Sequence, residues 1–336
     1  MDIPLDIWEI IYEMYHDLTS RIKWKGKYST SFPIRQGVRQ GGILPTHFYK
    51  AYIEDLLIQL EESNVGLHLG TNYFGCPTCA DDILLLSSSD EDMQVMLNTV
   101  NTYSKEHQYT IHPTKSVLLK QNQTSSNSGK ESLSAWELGD MKITTTDQAT
   151  HLGLTRSSKN ENMINVDERI SLARRTSYSL MKTGVHGTNG LNPRVSYNIY
   201  RIYILPRLLY ILEILPLNAR QLKALSDFHS TFLRNIQSLP VRTASVAIYA
   251  LLGALPLEAE LHKRQLSLLH SILTSENQNL KEILIRQYRL QVNQGTFLER
   301  TESILNKYNL PTIEELWENT PTKINWKYTT RSAIIM

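Results

Sequence analysis

Apolar residues recur at three- and four-residue spacing through Ile7, Ile10, Ile11, Met14, Tyr15 and Leu18, which predicts a helix over residues 4–23. A hairpin is expected next, with Arg21-Ile22-Lys23-Trp24 and Tyr28-Ser29-Thr30-Ser31-Phe32 flanking the turn Lys25-Gly26-Lys27. The glycine-rich segment Arg35-Gln36-Gly37-Val38-Arg39-Gln40-Gly41-Gly42 then runs into a helical pattern over 48–62, whose buried face is Tyr52, Ile53, Leu56, Leu57 and Leu60. Gly66 and Gly70 frame a second hairpin. It leads to Cys79-Ala80-Asp81-Asp82 at a strand bend, with Ile83 to Leu86 as the outgoing strand.

Ser88 and Glu91 stand at capping-box spacing ahead of a helix with Met93, Met96, Leu97, Val100 and Tyr103 on one face. Residues 109–119 read as strand, Pro-containing turn and strand, with Lys115 near the turn. A polar linker over 121–134 precedes short strands at 141–145 and 151–154. From Asn165 onward helices dominate, over 166–183, 193–215, 219–237, 255–273 and 278–291, and the tail from Pro311 reads as a small helix with a loose end. The expected class is α+β: an antiparallel sheet with helices on one face, then an all-α region.

Composition adds little to this picture. The 336 residues are 41% hydrophobic and 20% charged, as in an ordinary globular protein. Two cysteines exclude a disulfide scaffold and fit a reducing compartment, so an intracellular location is expected, with nucleus and cytoplasm not distinguished. The apolar stretch 200–217 is interrupted by Arg201, Pro206, Arg207, Glu213 and Pro216, which argues for a buried helix and against a membrane partner.

Charge distribution is more informative than its total of +2. Residues 163–242 hold eleven Lys/Arg and four Asp/Glu, and their arginines alternate with tyrosines, as in Arg174, Arg175, Tyr178, Arg194, Tyr197, Tyr200 and Arg201. Such a surface suits a phosphate backbone, although any single arginine is more often part of a solvated helix face.

Three stretches carry candidate chemistry. Glycines at the mouth of a helix let backbone N–H groups approach a phosphate, with Arg35 and Arg39 adding charge, but glycine turns before helices are mostly structural. Asp81-Asp82 reads either as a solvated turn or as hard oxygen ligands for Mg2+ in phosphoryl chemistry. Cys76-Pro77-Thr78-Cys79 supplies two zinc ligands where a structural site needs four; His107 and His112 would have to complete it, and Cys79 is better explained by its place before Ala80.

Arg39-Gln40-Gly41-Gly42 before a helix, Ala80-Asp81-Asp82 on a strand bend and the Lys115 strand-turn occur in one order, and together they resemble the reverse transcriptase of non-LTR (LINE-type) retrotransposons. The resemblance implies a partial palm over 1–158, a helical thumb over 159–242 that holds the template-primer duplex by its phosphates, and a C-terminal helical region over 243–336. It implies RNA-directed DNA polymerisation with an RNA template, a DNA primer, deoxynucleoside triphosphates and Mg2+ or Mn2+. Asp81 and Asp82 would be catalytic metal ligands. Arg39, Gln40, Gly41, Gly42 and Lys115 would lie against nucleotide and template, His151-Leu152-Gly153 would grip the primer, and Arg174 and Arg175 would meet the backbone.

The departures from the family pattern are Leu44-Pro45-Thr46 where Leu-Ser-Pro is usual, Lys50 for Asn, Cys79 for an aromatic residue and His112 for the Asn ahead of the Lys. The family's third metal-binding Asp lies on a strand upstream of the glycine loop, a role that Asp2, Asp6 and Asp17 do not fill. The expectation is therefore an N-terminally truncated enzyme that is inactive alone, or a non-catalytic nucleic-acid-binding module working through its basic thumb.

Overall fold

The computed structural model describes residues 3–35, 37–38, 41–112, 114–121, 136–290 and 295–335. The fold is α+β, and by its internal contacts the chain divides into two compact units: residues 1–111 with 137–139, and residues 112–136 with 140–336.

In the first unit, helix α1 (Leu5–Tyr15) buries none of its residues. It stops well short of the expected residue 23, where Asp17 turns into the left-handed region at φ 51°. A hairpin follows, with Thr19–Ser20 on Phe32–Pro33 and Lys23–Trp24 on Lys27–Tyr28, closed by left-handed Lys25 and Gly26. Helix α2 (Ile43–Glu62) begins five residues earlier than its apolar pattern suggests. Proline is compatible with the first turn of a helix, so Pro45 does not delay it.

The core of this unit is formed by Ile53, Leu56 and Leu60 of α2 with Met96, Val100 and Tyr103 of helix α3 (Asp90–Glu106). The cap of α3 is Ser89, whose hydroxyl accepts from the Asp92 N–H at 3.1 Å, one residue beyond the expected Ser88–Glu91 box. The Tyr103 hydroxyl donates to the Tyr52 carbonyl, tying α3 to α2 across the core.

Beneath these helices lie two short hairpins, His68–Leu69 on Asn72–Tyr73 and Thr78–Cys79 on Asp82–Ile83. Backbone bonds from Leu67 N to Leu86 O (2.9 Å), Leu86 N to Gly75 O (2.7 Å) and Leu84 N to Pro77 O (3.1 Å) join them into one antiparallel layer.

The second unit opens on the turn carrying Lys115. The expected strand at 109–111 does not form; only Val117–Leu119 does, and it pairs parallel with Met141–Thr146, a departure from the all-antiparallel expectation. The linker residues 122–135 lie outside the described residues. The hairpin Gln148–His151 on Leu154–Ser157 leads into helix α4 (Glu161–Met181).

The expected helix over 193–215 is three pieces: α5 (Pro193–Ile199), a π-helical turn (Tyr200–Ile204) and α6 (Leu205–Leu209), with non-helical turns beyond. In an α-helix the Pro206 ring would meet the Ile202 carbonyl. The wider turn, in which the Leu205 N–H donates to the Tyr200 carbonyl, moves that carbonyl aside.

Helices α7 (Ala219–Ile236), α8 (Ser245–Leu252) and the start of α9 (Leu257–Leu273) complete one apolar core around Tyr200, Leu208, Leu212, Leu225 and Leu233. The far end of α9 joins α10 (Gln278–Leu290), α11 (Phe297–Lys307), α12 (Ile313–Glu318) and α13 (Lys323–Ile335) around a second core, with Leu266, Leu269, Ile304, Leu305 and Trp326. The tail is thus two packed helices, not a loose end, because Trp326 is buried and its indole N–H donates to the Leu266 carbonyl at 2.9 Å.

Candidate active site

Asp81 shares a two-residue turn with Ala80, and Asp82 opens the outgoing strand, paired to Cys79 with Thr78 paired to Ile83 across the hairpin. Ala80 is left-handed at φ 54°, a conformation that costs an L residue about 1–2 kcal/mol. Both carboxylates are exposed, and neither forms an ion pair among the described residues.

Helix α2 brings Tyr49 to this turn. Its hydroxyl is held above the ordinary tyrosine range, first by burial and then by the negative charge of Asp81, with Tyr52 and Asp82 contributing less. Tyr49 is the site residue that sequence reasoning missed. The available signal was its place on the helix opened by the glycine loop, two turns beyond Gly42.

At the mouth of α2, Gly41 is left-handed at φ 89° with open space around it, so backbone conformation and not crowding calls for glycine. Gly42 is the N-cap and offers no side chain, leaving the first-turn N–H groups uncapped. Pro45 at the third position supplies none. Gly42 lies about 10 Å along the helix axis from Tyr49, so the loop and the acid pair share one unit. Arg39 and Gln40 lie outside the described residues.

The donor set fits a hard cation only in part. Mg2+ is commonly held by one or two carboxylates together with substrate phosphates and water, which Asp81 and Asp82 can satisfy. Two ions held side by side need further carboxylate bridges. Among the described residues no three His, Cys, Asp or Glu side chains converge on a common point. The same holds for the cysteine pair: Cys76 is half-buried and Cys79 exposed, and burial pushes the Cys76 thiol up, opposite to what a thiolate ligand requires.

The other expected site residues belong to the second unit. Lys115 is exposed on its turn. His151 pairs with Leu154, and the turn between them is Leu152 and Gly153, left-handed at φ 49° and 77°, the pattern of a type I′ hairpin. This turn is fastened from below. The Tyr210 hydroxyl donates to the Leu152 carbonyl at 3.0 Å, the Arg169 guanidinium donates to the Gly153 carbonyl, and that guanidinium lies 5.2 Å from the Tyr210 ring centre. Asn165 donates to the Thr155 carbonyl and accepts from its N–H. Arg174 and Arg175 are exposed on α4, on the side away from its buried face of Val166, Arg169, Ala173 and Thr176.

Comparison with known proteins bears on these observations. The reverse transcriptase (RNA-dependent DNA polymerase) family matches residues 2–155. A curated relative, the retrovirus-related Pol polyprotein from type-1 retrotransposable element R2 of Popillia japonica, is 24% identical over 253 residues, covering 72% of this chain. That alignment is longer than the family match, so similarity continues into the helices. The chain spans only 39% of that relative's length. Residues 2–155 are thus similar to reverse transcriptases, in keeping with the resemblance to those of non-LTR retrotransposons.

Proposed function

We propose that this chain carries a partial palm of an RNA-directed DNA polymerase over residues 1–158, followed by a thumb over 159–242 and a C-terminal helical region over 243–336. In this reading Asp81 and Asp82 hold a divalent cation, Mg2+ or Mn2+, against the phosphates of an incoming deoxynucleoside triphosphate. That cation, when bound, neutralises charge developing on the transferred phosphoryl group. Tyr49 backs the acid pair from α2, Gly41 and Gly42 with Arg39 and Gln40 bound the nucleotide and template side, and Lys115 adds a phosphate contact. The hairpin at His151, Leu152 and Gly153 steadies the primer, a role its double fastening supports, because a grip has to hold its backbone still. RNA template and DNA primer are the proposed polymer substrates.

The observation that carries the reading is the acid pair at the tip of a hairpin with a two-residue turn, in a segment that matches the reverse transcriptase family, with no third converging ligand among the described residues. It also sets the expected activity. Two carboxylates support cation binding but not a full two-ion site, so residues 1–336 alone are expected to be inactive in nucleotidyl transfer unless a further carboxylate is supplied. Primer extension on an RNA template with Mg2+ or Mn2+ tests this. Robust incorporation that Asp81→Ala abolishes would overturn the inactivity and keep the site assignment, whereas incorporation unaffected by Asp81→Ala would overturn both.

A second reading, nucleic-acid binding without catalysis, is favoured by Arg174 and Arg175, which are exposed and form no ion pair among the described residues. It predicts binding that weakens with salt and depends on these arginines but not on Asp81.

A further inference from the structure

Helix α13 (Lys323–Ile335) has a cationic flank that neither the family match nor the thumb assignment accounts for. Lys323, Lys327 and Arg331 are spaced four residues apart, so they form one line along the helix, and all three are exposed. The helix contains no Asp or Glu. None of the three cations forms an ion pair among the described residues, although Lys223, Lys263 and Lys307 elsewhere in the same unit do. Beside this line the apolar side chains Ile324 and Tyr328 point into solvent, 82% and 74% exposed.

The helix is not free to turn this face inward. Trp326 and Thr330 are buried on the adjoining side, about 80° around the helix from the line of cations, and the Trp326 indole stacks with His270 of α9, ring centres 6.1 Å apart. His270 in turn bonds the Pro321 carbonyl at 2.8 Å, just ahead of the helix. No acidic side chain of α12 forms an ion pair with these cations among the described residues. Glu315 and Glu318 share a cleft with Thr329, which lies about 200° around the helix from Lys327.

We propose that this flank of α13 binds a single-stranded polynucleotide, with Lys323, Lys327 and Arg331 on consecutive phosphates and the Tyr328 ring stacked on a base. The cations are about 6 Å apart along the axis, close to the repeat of an extended strand, and a solvent-facing phenol ring offers a stacking surface that a paired base cannot use. An anionic membrane would use the same charge but would need a broad apolar face to insert. Here the larger apolar side chain, Trp326, is already buried in the core. The inference borrows from the proposed function only the nature of the polymer; its residues are other than the acid pair and Arg174 and Arg175.

The test uses the full chain and fluorescence anisotropy with labelled oligo(rU) and oligo(dT) across a potassium chloride series. Replacing Lys323, Lys327 and Arg331 together by Gln should flatten the slope of log affinity against log salt by about 2, three single-strand phosphate contacts being lost. Tyr328→Ala should weaken binding about tenfold at fixed salt without changing the slope, and Tyr328→Phe should restore it. Circular dichroism melting checks that each variant folds; if the triple substitution does not, the single ones are read. Parent affinity and slope in the folded variants would overturn the inference. So would loss of binding to anionic lipid vesicles with polynucleotide binding intact. If Arg174→Gln with Arg175→Gln removes all binding while the α13 variants change nothing, the inference fails and the thumb reading stands.

Discussion

The hydroxyl of Tyr210 donates to the carbonyl of Leu152, joining the end of α6 to the tip of a hairpin 58 residues earlier. Leu152 is a non-glycine residue in a left-handed turn, and it is held there by a bond from outside the hairpin. Tyr210→Phe removes only that bond. The expected loss is about 1 kcal/mol in urea unfolding, and if the hairpin steadies a primer, duplex binding should loosen in the same variant. An unchanged urea midpoint would show that Arg169 alone holds the turn.

Asp81→Asn should weaken Mn2+ binding about tenfold, read by electron paramagnetic resonance of free Mn2+. Because Asp81 is exposed and makes no ion pair among the described residues, stability should change by no more than about 0.5 kcal/mol. A large stability loss with unchanged Mn2+ binding would make the pair a structural turn.

Ala80 sits in the left-handed region on the same bend. Ala80→Gly relieves that strain at the expense of unfolded-chain entropy, and a net gain of about 0.5–1 kcal/mol is expected in thermal or urea unfolding. A loss would mean that the Ala80 methyl contributes packing that its exposure does not suggest.

His229 predicts a pH dependence. It is buried, its Nε2–H donates to the Leu255 carbonyl at 3.1 Å, and its Nδ1 therefore accepts from the Tyr200 hydroxyl. Burial pushes its pKa down to about 4, against the opposing pull of the Leu255 carbonyl and Glu260. Between about pH 6.5 and pH 4 the unfolded chain takes up this proton and the folded chain does not. Stability is therefore whole above pH 6.5 and falls as the pH drops toward 4, by roughly 3 kcal/mol for this group. His229→Gln should remove that share of the slope in urea midpoints measured across the window.

The acid pair and the helices were legible in the sequence because both depend on local pattern. Asp81-Asp82 between uncharged and apolar residues marks a bend, and three- and four-residue spacing marks α2, α3 and α4. What was not legible depends on partners distant in sequence. Tyr49 looks like any half-buried tyrosine until the hairpin is folded against α2. The fastening of Leu152 and Gly153 by Tyr210 and Arg169 spans elements that no local window contains. The parallel pairing of Val117–Leu119 with Met141–Thr146 likewise joins strands more than twenty residues apart. The π-helical turn could have been anticipated from Pro206, whose ring an unbroken α-helix cannot accept.

Helix α1 contributes no buried residue to its unit, whose core is made by α2 and α3. In terms of cleavage, a segment with so little burial opens at a small fraction of the global unfolding free energy. Limited proteolysis should therefore remove the first forty residues before it touches α2. The surviving fragment would begin near Gly41 and would still carry Tyr49, Asp81 and Asp82, separating the acid pair and its backing tyrosine from Arg39 and Gln40.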